Sequence, residues 1–168
     1  MGGIYLLLGG NIGNRAMYLS MATEKISLLI GKIKASSSIW ETEPWGFRHD
    51  TPFLNQLLVT DTRLEPAGVL VALRAIEKKL GRIRRGGEVA ARTIDIDILF
   101  YNDRIISHKN LVIPHPELHK RRFALEPLVE VNPGLVHPVF NKTVSELLAE
   151  CNDSCQVRKL QPGEPEII

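Results

Sequence analysis

Two aspartates stand two residues apart inside an otherwise apolar run near the middle of the chain. The run reads Thr93-Ile94-Asp95-Ile96-Asp97-Ile98-Leu99-Phe100-Tyr101, and its alternating β-branched residues predict a strand over 93–101. Aspartate is depleted in strands, so its presence here needs a reason. Because side chains at i and i+2 of a strand share a face, Asp95 and Asp97 lie about 6.5 to 7 Å apart. Two ionised carboxylates at that separation repel each other, and a shared counter-charge would stabilise them.

A divalent cation is one source of that counter-charge. Mg²⁺ takes one or two protein carboxylates and completes its octahedron with water and substrate phosphates. The pattern taken alone also fits a strand whose outer face is simply wet and acidic. The sequence around the two aspartates distinguishes a metal site from a solvated acidic face.

A strongly basic segment leads into the aspartate strand. Between residues 74 and 92 the chain carries seven Lys or Arg side chains and two Glu side chains. Its first part belongs to a helix predicted over 66–80, which Pro66 begins and Gly81 ends. Residues 82–92 show no apolar periodicity, which predicts a loop. Because guanidinium groups bind phosphate oxygens in a bidentate fork, arginines beside a carboxylate pair favour metal-assisted phosphoryl transfer.

The glycine cluster near the start of the chain does not match a known phosphate-binding fingerprint. Residues 9–13 read Gly-Gly-Asn-Ile-Gly. They lack the lysine and the serine or threonine of the P-loop, and their spacing differs from that of the dinucleotide motif. We therefore interpret this cluster as a turn between a strand and a helix.

Two further segments favour the binding of a ligand. Residues 40–55 are rich in aromatic and proline residues and end in Asn55. Flat heteroaromatic ligands are held by ring stacking and a few in-plane hydrogen bonds. For Phe53, ligand stacking and core packing both stay open at this point. His115 stands between two prolines in a basic segment, where contact with a phosphate is an alternative to a structural role.

Taken in this order, the motifs resemble those of the 6-hydroxymethyl-7,8-dihydropterin pyrophosphokinase family of folate biosynthesis. The resemblance covers nearly the whole chain and rests on Leu8–Asn14, Thr42–Gly46, Phe53–Asn55, Gly81–Arg84, Arg92–Ile98, Ile113–Pro116 and Arg121–Phe123. The chain departs from the family where Glu88–Ala91 replace its common Arg-Trp-Gly-Pro. The resemblance implies that the pterin hydroxymethyl oxygen attacks the β-phosphorus of ATP, with release of AMP, and that two Mg²⁺ ions take part.

The resemblance also implies roles for individual residues. The residues implied in catalysis are Arg82, Arg84, Arg92, Asp95 and Asp97, and the two aspartates are also the implied metal ligands. The implied nucleotide contacts are Glu77, Arg84, Arg92, Ile98, His115 and Arg121. The implied pterin contacts are Thr42, Trp45, Phe53, Asn55, Asp95 and Phe123, with the two phenylalanines on either side of the ring.

The patterning along the chain predicts an α+β fold. We expect strands over 4–9, 33–42, 53–62 and 93–101, a hairpin partner over 104–107, and helices over 14–30, 66–80, 122–130 and 143–150. The order β-α-β-β-α-β is that of the ferredoxin-like sandwich, a mainly antiparallel sheet with helices packed on it. We expect a single domain over 1–160 and a disordered tail over 161–168. Such a fold hosts many functions, so it does not name one.

Composition fits a small globular enzyme, with 168 residues, 44% apolar residues and a net charge of +2. Residues 4–8 are too short for a signal sequence or a membrane span. We expect a cytoplasmic monomer that binds ATP and the pterin but neither nucleic acid nor a membrane.

Two alternative functions stay open. One is a nucleic-acid-binding module, although such modules expose aromatics rather than aspartates on a central strand. The other is a different Mg²⁺-dependent kinase or nucleotidyltransferase.

Overall fold

The computed structural model describes residues 3–44, 48–83 and 91–164. The strands are β1 (Ile4–Gly10), β2 (Gly31–Ser36), β3 (Trp40–Thr42), β4 (Phe53–Thr62), β5 (Asp95–Tyr101), β6 (Ile106–His108), β7 (Leu111–Ile113), β8 (Val136–His137), β9 (Lys142–Thr143) and β10 (Val157–Lys159). The helices are α1 (Arg15–Leu29), α2 (Pro66–Lys79), α3 (Arg122–Val131) and α4 (Val144–Glu150), with a 3-10 turn at Leu118–Lys120. Within these residues, no helix has both the length and the apolar character that a membrane span requires.

The main sheet is antiparallel and has β1 near its centre. Its strand order is β10-β3-β4-β1-β5, and β2 also pairs with β4. Each described pairing in this sheet is antiparallel. When β2 and β3 are counted as one interrupted strand, the chain follows the predicted β-α-β-β-α-β order. The predicted α+β fold with a mainly antiparallel sheet is therefore confirmed.

Helices cover both faces of the sheet, so the molecule has three layers. Along β1, Leu6 and Leu8 belong to one core cluster, which also contains Leu19, Ala22 and Ile26 of α1 and Val69, Leu73 and Ile76 of α2. Tyr5 and Leu7 point the other way, into a second cluster with the buried residues of α3 and α4. Because both of its faces are buried, β1 shows a continuous apolar run instead of an alternating pattern.

The prediction of one continuous strand over 33–42 is wrong. The strand is interrupted at residues 37–39, which separate β2 from β3. At the interruption, Ser37 N donates to Leu57 O at 2.9 Å, and Ser37 Oγ accepts from Leu57 N at 2.9 Å. A side-chain hydroxyl therefore takes the place of a backbone carbonyl, so the chain stays beside β4 without regular strand pairing.

Two smaller predictions also differ from the structure, and β10 is one of the short strands that the sequence does not predict. The segment after the 101–103 turn forms β6, and this strand pairs with β7 and not with β5. The strand predicted from 93 begins at Asp95. Near the carboxyl terminus, β10 was not predicted and pairs with the outer edge of β3. Its three residues, Val-Arg-Lys, carry too short an alternation to indicate a strand from sequence.

We expect Gly10→Ala to destabilise the fold. A Cβ atom at Gly10 would lie 2.2 Å from the carbonyl oxygen of Thr93, and this backbone cannot move without disturbing the entry to β5. Urea denaturation should show a loss of roughly 1 to 3 kcal/mol in the free energy of unfolding. Gly134→Ala is the control, because no described atom beyond its chain neighbours lies within 4 Å of that Cβ position. Equal losses in the two variants would contradict the steric explanation.

Candidate active site

A row of side chains crosses three neighbouring strands at one end of the sheet. Asp95 of β5 is paired with Gly9 of β1, and Gly9 is paired with Asn55 of β4. Directly paired residues of antiparallel strands share a face. Asp97 and Phe53 lie two positions from Asp95 and Asn55, so they share that face as well. The acidic pair and the predicted aromatic and amide contacts thus meet on one surface.

Two arginines hold Asp95 between them. Arg82, which follows α2, forms a close ion pair with Asp95 through its Nη1 atom, and the same atom lies 3.0 Å from Glu77 Oε1. Arg92 Nε lies 3.3 Å from Asp95 Oδ2. The Arg92 guanidinium also lies 5.2 Å from the centre of the Phe53 ring, a cation–π distance. Arg92 therefore joins the acidic side of the surface to its aromatic side.

The two aspartates have different protonation behaviour. Burial acts to raise the pKa of Asp95, but Arg92 and Arg82 outweigh it, and the pKa is lowered. Burial and then repulsion from Asp95 raise the pKa of Asp97 to about 7, against the opposing effect of Arg121 and Arg92. The pair thus resists a second negative charge near neutral pH, and a cation placed between the carboxylates would relieve this repulsion.

His115 is a neutral hydrogen-bond donor beside Asp97. Its Nδ1 accepts a hydrogen bond from Glu117 N at 3.2 Å, which places the proton of the neutral ring on Nε2. That Nε2 atom lies 3.9 Å from Asp97 Oδ2. Burial and then Arg121 lower the pKa of His115 to about 4, so the ring is neutral at pH 7.

The aromatic and amide side of the surface is nearly closed to solvent. Asn55 is 4% exposed and Phe53 is 8% exposed. The Asn55 carboxamide Nδ2 donates to Thr42 Oγ1 in a short hydrogen bond. At the start of α3, the guanidinium of Arg121 lies 5.8 Å from the centre of the Phe123 ring. These side chains supply flat apolar area and fixed polar atoms, which a planar heteroaromatic ligand needs.

Most of the residues singled out from the sequence come together here. These residues are Thr42, Phe53, Asn55, Glu77, Arg82, Arg92, Asp95, Asp97, His115, Arg121 and Phe123. The side chain of Ile98 points instead into the core under α1 and α2, so only its backbone is available to a ligand. The predicted contacts Trp45 and Arg84 lie outside the described residues.

Asn11 is a structural member of the site that the sequence interpretation missed. Its Nδ2 donates to Thr51 O at 3.2 Å, and its Oδ1 accepts from Arg92 N at 3.0 Å. Its own backbone N donates to Arg92 O at 2.9 Å. One buried carboxamide thus ties the segment before Phe53 to the segment that carries Arg92. A carboxamide directly after two glycines, at the end of a buried strand, was the available signal.

Comparison with known proteins shows the family of this chain. The family model of 7,8-dihydro-6-hydroxymethylpterin-pyrophosphokinase (HPPK) matches residues 5–133. The chain belongs to this family. It is similar to the 2-amino-4-hydroxy-6-hydroxymethyldihydropteridine pyrophosphokinase of Aquifex aeolicus, with 39% identity over 150 residues that cover 89% of this chain and 92% of the relative. The pyrophosphokinase of the same name from Methylorubrum extorquens is 40% identical over 151 residues, which cover 89% and 94%.

Longer proteins also contain a region like this HPPK chain. The folic acid synthesis protein fol1 of Pneumocystis carinii is 36% identical over 150 residues, which cover 89% of this chain and 20% of fol1. A solved wild-type HPPK-DHPS structure from Plasmodium falciparum aligns with a TM-score of 0.71 at 20% identity. That alignment covers 89% of this chain and 43% of the solved chain, so the chain spans less than half of that structure. At this identity the likeness shows the fold.

We expect Asp97→Asn to stabilise the protein increasingly as the pH rises. A carboxyl group whose pKa is raised on folding contributes stability at low pH and loses it as the pH rises through the folded-state pKa. For Asp97 that loss falls between about pH 4, the usual range of an unfolded aspartate, and about pH 7. Urea denaturation in EDTA should therefore show a larger gain for the variant at pH 8 than at pH 5.

The control for this experiment is Asp103→Asn. Asp103 lies exposed in the turn after β5, so the same change of charge should have an effect that is nearly independent of pH. An Asp97→Asn effect of equal size at pH 5 and pH 8 would contradict the raised pKa.

Proposed function

We propose that this chain transfers pyrophosphate from ATP to the hydroxymethyl group of 6-hydroxymethyl-7,8-dihydropterin and releases AMP. The observation that carries the proposal is the shared surface on which Asp95, Asp97, Arg82 and Arg92 meet the aromatic and amide groups around Phe53. One side of that surface suits a polyphosphate, and the other suits a planar heterocycle. Membership of the HPPK family supports this choice of donor and acceptor.

The reaction forms one oxygen–phosphorus bond and breaks another. The acceptor hydroxyl oxygen attacks the β-phosphorus of ATP, and its proton passes to solvent water. The bond between that phosphorus and the oxygen bridging to the α-phosphate breaks, and its electron pair leaves with AMP. Negative charge grows on the transferred group and on the leaving phosphate. In such transfers the protein acts mainly by positioning the reactants and stabilising charge.

The cationic and neutral donors of the site suit those tasks. Arg82 and Arg92 lie beside Asp95, where their guanidinium groups can neutralise phosphate oxygens. His115 offers the Nε2–H of a neutral ring, and Arg121 approaches from the start of α3. Arg92 also contacts the Phe53 ring, so the group that binds phosphate touches the wall of the acceptor site. We propose that this contact aligns the hydroxymethyl oxygen with the phosphate chain.

We further propose that Asp95 and Asp97 hold two Mg²⁺ ions. The donor chemistry fits, because two carboxylates share a face, and the pKa of Asp97 is raised by burial and then by repulsion from Asp95, which a cation would relieve. Within 3–44, 48–83 and 91–164, no group of three or more His, Cys, Asp or Glu residues could hold a metal by itself. Water and phosphate oxygens would complete the coordination, as Mg²⁺ commonly requires. Bound Mg²⁺ would polarise phosphoryl oxygens and neutralise their charge.

We propose a monomer as the working unit, which is the state that the family resemblance implies. We propose that this monomer acts in the cytoplasm, where ATP would be available to it.

Product analysis tests the proposed function. The protein is incubated with ATP, Mg²⁺ and the pterin, with a control that lacks the pterin, and the nucleotides are separated. We expect AMP and pterin pyrophosphate to form only when the pterin is present.

Asp95→Asn and Asp97→Asn should each lower kcat by at least about 100-fold, because charge stabilisation is lost, while the fold is kept. Pterin-dependent ADP, or full activity in either variant, would contradict the proposal.

Gly9→Ala should weaken binding of the acceptor selectively. A Cβ atom at Gly9 would lie 2.6 Å from Asn55 Oδ1, which is the end of a side chain and can move. The fold should therefore survive, while the carboxamide shifts away from the acceptor. We expect the KM for the pterin to rise about tenfold, equivalent to one hydrogen bond of about 1.4 kcal/mol. The KM for ATP serves as the internal control and should change less than about twofold; a parallel rise in both constants would contradict the assignment.

A further inference from the structure

Glu77 is a carboxylate in an unusual place. It lies on α2 and is 2% exposed, and no other Asp or Glu among residues 3–44, 48–83 and 91–164 is buried to that degree. A charged group so far from water is costly unless it is paired and hydrogen-bonded. Its contacts therefore indicate why an acidic residue stands at this position of the helix.

One contact fixes the strand that carries the two aspartates. Glu77 Oε1 accepts a hydrogen bond from Ile96 N at 2.8 Å. Ile96 stands between Asp95 and Asp97, and β5 forms the edge of the sheet beside β1. Backbone N–H groups on the outer side of an edge strand have no strand partner. Glu77 supplies a partner for this one and so fixes the backbone between the two carboxylates.

A second contact holds Arg82. Its Nη1 atom lies 3.0 Å from Glu77 Oε1 and also pairs with Asp95. The backbone adds a further restraint, because Arg82 N donates to Glu77 O at 3.0 Å. The guanidinium is therefore shared between a carboxylate in the core and a carboxylate at the surface. The contact with Glu77 does not depend on Asp95, so it would hold Arg82 if a cation bound Asp95 or if a phosphate competed with Asp95 for the guanidinium.

We infer that Glu77 is a positioning residue, which fixes β5 between the aspartates and holds Arg82 in place for the transfer. This inference rests on the proposed function and differs from the direct nucleotide contact that family resemblance implies. A residue that binds the nucleotide affects the KM for ATP. A residue that acts through Arg82 affects kcat, and its effect disappears once Arg82 is replaced.

A double-mutant cycle in kcat tests the link to Arg82. The variants are Glu77→Gln, Arg82→Met and the double variant, with Glu65→Gln at the start of the same helix as the control for lost charge. We expect Glu77→Gln to lower kcat about tenfold with the KM for ATP changed less than about twofold. In the Arg82→Met background the same substitution should cost less than about twofold in kcat. Glu65→Gln should match the unsubstituted protein.

Metal binding without turnover tests the link to β5. Both Glu77→Gln and Glu77→Leu remove the charge, but only the glutamine keeps an oxygen that can accept from Ile96 N. Mn²⁺ titration followed by electron paramagnetic resonance, without nucleotide, should therefore give a dissociation constant at least about threefold higher for Glu77→Leu than for Glu77→Gln. Circular dichroism would confirm that both variants are folded at the assay temperature.

The outcomes separate this inference from the proposed function. If the unsubstituted protein forms no pterin-dependent AMP, both are overturned. If it forms AMP, the inference alone is overturned by any of three results. These are a rise in the KM for ATP with unchanged kcat, a Glu77→Gln effect that is equally large without Arg82, and equal Mn²⁺ affinity in the two Glu77 variants.

Discussion

The ion pairs around Asp95 organise the candidate active site. Two carboxylates occupy neighbouring positions on one face of β5, where the sequence of a strand would ordinarily place apolar or neutral side chains. Arg92 and Arg82 lower the pKa of Asp95 and so favour its ionised form, whereas the pKa of Asp97 is raised to about 7. Because a half-buried pair of like charges is unfavourable, the positive charge at the end of α2 and in the segment before β5 stabilises it.

Fold prediction from sequence succeeded where one local signal controlled the outcome. The ends of α2 were readable from Pro66 and Gly81, and Gly81 adopts φ +85°, which favours glycine. The break between β2 and β3 could not be read, because the Ser37 hydroxyl replaces a backbone partner only when Leu57 is beside it. The sequence does not predict β10 for a similar reason. This strand pairs with the outer edge of β3, and that edge exists only after the sheet has formed.

The same distinction between local signals and tertiary partners applies to the residues of the site. Alternation within one strand was enough to place Asp95 and Asp97 on a common face. It could not show that Gly9 brings Asn55 into the same row, since that depends on the register of three strands. A signal for the burial of Glu77 was present, because it follows Leu73 by four residues on the helix and so shares its core-facing side. Its acidic character pointed instead to solvent or a ligand, although it is bonded within the core.

Arg92 makes the two halves of the surface interdependent. Its guanidinium contacts both Asp95 and the Phe53 ring, and its backbone is bonded twice to Asn11, which also holds Thr51. A phosphate that draws this guanidinium away from Asp95 must therefore also change its contact with the aromatic wall. Conversely, an acceptor stacked on Phe53 restricts where Arg92 can go. If the phosphate and the heterocycle bind as proposed, they share one side chain, and each would affect the free energy with which the other binds.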